Sequence, residues 1–168
     1  VKNVVVKIEV SVMNRGLLGT AETRVLCIKA QETFESFCEI SCVSIGQLYG
    51  GKICAALDRQ HPRDLFDVKH LLKNEGFTKE IKEGFLLMLL CSERPINEML
   101  NPHLLDQQTP FKNQFEGMAS DNFTYEDYEK TRIELVELIN QKLTKDNKKF
   151  LLSFKNLTPD WSIYPFSE

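Results

Sequence analysis

Apolar and polar residues alternate at the start of the chain. Val4, Val6, Ile8, Val10 and Val12 fall on one face, and Val5, Lys7, Glu9, Ser11 and Met13 on the other. That period of two predicts a strand with one apolar face over residues 4–13. Residues 14–20 read as a connection and Thr23 to Lys29 as a second strand, a hairpin too small to stand alone. From Ser44 onward the period becomes helical. Ser44 caps a helix to about Arg59, and Pro62 opens a second to about Asn74, with Gly76 just beyond it. A third helix spans roughly Thr78 to Ser92. Prolines 95, 102 and 110 then give loops with short helical turns over residues 95–122. Thr124 with Asp127 forms a capping-box pattern opening a long helix to about Leu143, whose apolar side is Tyr128, Ile133, Leu135, Val136, Leu138 and Ile139. Thr144 caps a last helix to about Phe154. The pattern is α+β, mostly α: a small sheet fragment in residues 1–43, then a helical bundle in 44–168.

The 168 residues suit about one domain with a real core. With 42% hydrophobic and 27% charged residues the chain is that of an ordinary folded protein, not a disordered one. A net charge of −3 supplies no global attraction to nucleic acid, so any basic surface is local, as at Lys145, Lys148 and Lys149. The longest strongly apolar run, residues 85–91, is far short of a membrane span. Five cysteines without a CxxC pair predict free thiols and a cytoplasmic location. Val1 at the start and an aromatic-rich end at 159–166 read as a piece of a longer protein.

One stretch breaks the pattern of apolar faces. Lys52 lies between Leu48 and Ala56 on the helix before the corner at residues 60–62, and Asp64 and Asp67 lie within and beside the apolar arc of the helix after it. Charges placed there need partners or a ligand. One reading is a pair of ion pairs fixing the helix crossing, Lys52 with Asp64 and Arg63 with Asp67. The other is a phosphate-handling site, in which Lys52 acts as a point charge and the aspartates orient a nucleophile or a cation. Glu9 is a third acid, on the strand face opposite the valine row. The spacing Gly46-x-x-x-x-Gly51-Lys52 fits a P-loop, but Ile53 stands where Ser or Thr would ligate Mg²⁺. Gly50 and Gly51 instead suit close approach of another backbone or a ligand.

At these residues the chain resembles the AbiEii family, nucleotidyltransferase-like toxins of bacterial toxin–antitoxin and abortive-infection systems that include the MenT-like toxins. The resemblance rests on Val6 to Val10 with Arg15-Gly16, on Lys52 and Arg59 followed by Arg63-Asp64-Leu65-Phe66-Asp67, on residues 115–118 with the 125–143 helix, and on residues 150–154 with 159–161. It implies that the two strands are a remnant of a polymerase-beta-type nucleotidyltransferase core and that the remainder is its helical domain. It implies transfer of a nucleotide from an NTP, with Mg²⁺, onto an acceptor such as tRNA or other RNA, and a cognate antitoxin partner. By position, Lys52 contacts NTP phosphates, Asp67 is the catalytic acid, Arg63 and Asp64 support it, and Glu9 is the strand acid. The family's Gly-Ser and Asp-x-Asp motif has no match in this sequence. The expectation is therefore a C-terminal part that is inactive alone, with the metal held through the missing motif. A non-catalytic helical module that binds an antitoxin is the alternative.

Overall fold

The computed structural model describes residues 16–164 and 166; the strand expected over 4–13, and Glu9 with it, lie outside the described residues. Strand β1 (Glu22–Val25) pairs antiparallel with β2 (Glu39–Cys42), Glu22 opposite Cys42 and Val25 opposite Glu39. Helix α1 (Ile28–Phe34) connects them. The expected second strand thus ends early: Cys27 has extended backbone at the start of α1, and Ile28 and Lys29 belong to the helix. Its described partner is β2, a strand that the sequence pattern did not reveal. Every β1 side chain is exposed, so this sheet has no buried face to impose alternation.

The helices follow their caps. Helix α2 (Ile45–Arg59) starts where the Ser44 hydroxyl accepts from the Gln47 N–H at 3.2 Å. It ends at Gln60, whose left-handed backbone (φ 51°) turns the chain in two residues into α3 (Pro62–Asn74). Thr78 caps α4 (Lys79–Leu90), and short helices α5 (Ile96–Leu100) and α6 (Gln108–Gln114) interrupt the proline-rich connection. Reciprocal capping boxes, Thr124 with Asp127 and Thr144 with Asn147, open α7 (Tyr125–Lys142) and α8 (Lys145–Lys155). Each such cap stabilises its helix by about 1 kcal/mol. Among the described residues no helix is long and apolar enough to cross a membrane.

Two contacts fix the position of α2. Its glycines lie directly on α4: a Cβ at Gly50 would stand closer than 3.0 Å to the backbone of Gly84 and Phe85, and one at Gly84 equally close to Gly46 and Gln47. Gly46 and Gly50 are therefore helix-contact residues. The Gly46-to-Lys52 stretch is α-helical, so it forms no phosphate-cradling loop. Around this contact Ile53, Leu57, Phe85 and Leu89 are fully buried.

The second contact is a polar knot at the α2–α3 corner. The buried Gln60 side chain donates to the His103 carbonyl and accepts from the Leu105 N–H, while the Gln60 backbone carbonyl accepts from the Tyr128 hydroxyl at 2.8 Å. Arg132 of α7, only 6% exposed, donates to Gln60 Oε1 and to the Leu105 carbonyl. Arg132 was not among the apolar positions of α7; Ile133, which was, is 47% exposed. Burial, opposed but not cancelled by the Arg132 cation, pushes the Tyr128 hydroxyl up to about 12.

Candidate functional site

The corner brings the expected charged residues into one groove, with different partners from those expected. Lys52 Nζ lies 2.7 Å from Asp67 Oδ2, not against Asp64. Asp64 instead takes both Nε and Nη2 of Arg59, at 3.1 and 2.9 Å. The reason is the turn itself. Arg59 ends α2 one corner away from Asp64, whereas Asp67 lies about one turn further along α3, beside Lys52 about two turns back along α2. Nor is Lys52 enclosed by apolar side chains: its side chain and that of Asp67 remain about half exposed, at 48% and 45%. Asp64 is the more enclosed acid, with its side chain 13% exposed. Arg63 does not pair with Asp67; its side chain is exposed and unpaired among the described residues.

These groups share a polar cavity of about 460 Å³, completed by His61, Gln107 and Gln114. His61 begins α3: its Nδ1 accepts from the Arg63 N–H at 3.2 Å, which leaves Nε2–H to donate to Gln114 Oε1 at 3.0 Å. Sequence reading treated His61 as a corner residue and did not reach Gln107 or Gln114. These two come from the proline-rich connection, where no periodicity marks which side chains turn inward. The cavity holds three permanent cations against two carboxylates, and the N-terminal turn of α3 adds the positive end of its dipole.

Such a set suits an anion. Lys52 and Asp67 form an exposed pair worth less than about 1 kcal/mol, so an arriving polyphosphate can take the ammonium from the carboxylate at little cost. The Arg59–Asp64 fork is different: two parallel hydrogen bonds hold the guanidinium in one plane, a geometry that also matches phosphate oxygens. Beyond the cavity, the rings of Phe66, Phe111, Phe115 and Phe123 pack in tilted and edge-to-face pairs with centroids 5.3 to 6.2 Å apart and form an aromatic wall.

Comparison with curated proteins and with solved structures returns no match. The family model described as the nucleotidyl transferase AbiEii toxin of type IV toxin–antitoxin systems matches residues 2–165, a span that contains every residue of the groove. The chain belongs to the AbiEii nucleotidyltransferase toxin family.

Proposed function

We propose that the chain is the C-terminal part of a cytoplasmic nucleotidyltransferase toxin, which moves a nucleotide from an NTP onto an RNA acceptor such as tRNA. In this reading residues 1–43 are the last strands of the transferase core and 44–168 its helical domain. The observation that supports it is the convergence of Lys52, Arg59, Arg63, Asp64 and Asp67 in one open cavity of a chain in this family.

The residues divide the work by their present bonds. Lys52 and Arg63 hold the phosphates, and Arg59 faces the same cavity under the fixed aim of Asp64, which acts through the arginine. Asp67, released when Lys52 turns to the triphosphate, accepts the proton of the attacking hydroxyl. The acceptor oxygen bonds to the α-phosphorus while the bond from that phosphorus to the bridging oxygen breaks, and pyrophosphate leaves. Phosphoryl-type transfer asks mainly for this positioning and charge neutralisation. Glu9 is a further acid for the same reaction by its place in the family motif.

The family implies a divalent metal such as Mg²⁺. Among the described residues no three His, Cys, Asp or Glu side chains lie close enough to ligate one, and Asp64 and Asp67 are each paired with a cation. This donor set alone does not fit the ion.

NTP-dependent labelling of RNA by the full-length protein tests the reading. Lys52→Ala or Asp67→Asn abolishes labelling; unchanged labelling in both variants rejects the assignment.

A further inference from the structure

The groove between α2 and α3 continues past Lys52 and Asp67 and changes character. On one side the pair faces the polar cavity; on the other it borders a second cavity of about 270 Å³. The second cavity is lined by Tyr49, one turn before Lys52, and by Phe66, His70 and Asn74 along α3. The Phe66 and His70 rings have centroids 4.4 Å apart, and His70 Nε2 lies 3.5 Å from an Asp121 carboxylate oxygen.

The two cavities lie toward opposite ends of α3. The polar one is at its first turn, with the positive end of the dipole and the arginines. The aromatic one runs from Phe66 and His70 to the last turn, where the negative end lies with the Asn74 amide and the Glu75 carboxylate. A polyphosphate is therefore attracted at one end and repelled at the other. From Asp64 to Asn74 the helix covers about 15 Å at 1.5 Å per residue, a span suited to an extended nucleoside triphosphate.

We infer that the Tyr49–Phe66–His70–Asn74 cavity is the nucleobase subsite. The base stacks on the His70 and Tyr49 rings, Asn74 meets its hydrogen-bonding edge, and the ribose crosses Lys52 and Asp67. The inference rests on the phosphate reading above and adds where the other end of the same ligand lies. Ring stacking of this kind is sequence-tolerant and, by alanine substitution, worth a factor of about ten or more per base.

Calorimetry on the whole chain with each of the four NTPs, and separately with inorganic tripolyphosphate, tests it. The tightest NTP binds at least about tenfold more strongly than tripolyphosphate. His70→Ala removes most of that difference and leaves tripolyphosphate binding as it was, which also reports an intact fold; His70→Phe keeps the difference. Tripolyphosphate binding as tightly as every NTP, or NTP binding unaffected by His70→Ala, overturns the base subsite while the phosphate site stands. Absence of binding by both ligands, or binding of both untouched by Lys52→Ala, overturns the phosphate reading and the subsite with it.

Discussion

Gly84→Ala is the sharpest test of how the site is held. A Cβ there meets backbone atoms of Gly46 and Gln47, and neither can rotate away as a flexible side chain would. The helices α2 and α4 must part, loosening Ile53, Leu57, Phe85 and Leu89. Overpacking a core costs about 1–3 kcal/mol, and contact with backbone on a facing helix lies at the upper end. Alanine recovers about 1 kcal/mol of helix propensity, so the net loss is about 2 kcal/mol. For a chain of this size that lowers Tm by roughly 4–8 °C. Gly51→Ala is the control. Its Cβ meets only Met88 side-chain atoms, the nearest 3.7 Å away, so the propensity gain stands and Tm rises by roughly 2–4 °C. Urea titration with unchanged m-values and calorimetric melting measure both. A Gly84→Ala protein as stable as the parent would refute the close-contact argument.

Other substitutions separate stability from chemistry. Lys52→Ala shifts stability by less than about 1 kcal/mol because its ion pair is half exposed, so circular dichroism melts stay near the parent while RNA labelling is lost. Arg132→Met costs on the order of 3 kcal/mol by leaving Gln60 Oε1 and the Leu105 carbonyl without their charged donor, and chemical denaturation reads it. Asp127 gives a pH signature. Its bond from Lys69, then those from Thr124, lower its pKa from 3.8 to about 2, so its contribution to stability is full above pH 4 and is lost as pH falls toward 2. In Asp127→Ala, urea midpoints lose the part of their fall between pH 4 and pH 2 that this carboxylate supplies, and a parent-like acid limb in the variant would contradict the assignment.

Helix starts were legible because a cap is a local event. Ser44, Thr78, Thr124 and Thr144 each bond a backbone N–H three residues on, and Pro62 sits where a missing N–H does no harm. The family block at Lys52 and Asp67 was legible for the same reason, since sixteen consecutive residues contain it. What stayed hidden depends on distant chain. Helical periodicity placed Lys52 near two acids and paired it with Asp64 instead of Asp67, because the choice depends on how sharply Gln60 turns. It likewise placed Arg132 off the apolar arc of α7, whereas three acceptors from Gln60, Leu105 and Tyr128 draw the guanidinium inside. Strand β2 stayed hidden because it is only four residues long and three of them are exposed, so no buried face marks the run.

The brevity of the corner at Gln60 bears on assembly. Closing a loop this small costs little chain entropy, so the cations and acids meet as soon as the two helices form. The phenylalanine wall must wait for residues 107–125 to return across about a third of the chain. Damage to that returning segment should therefore blunt substrate positioning first and leave the ladder of opposite charges standing.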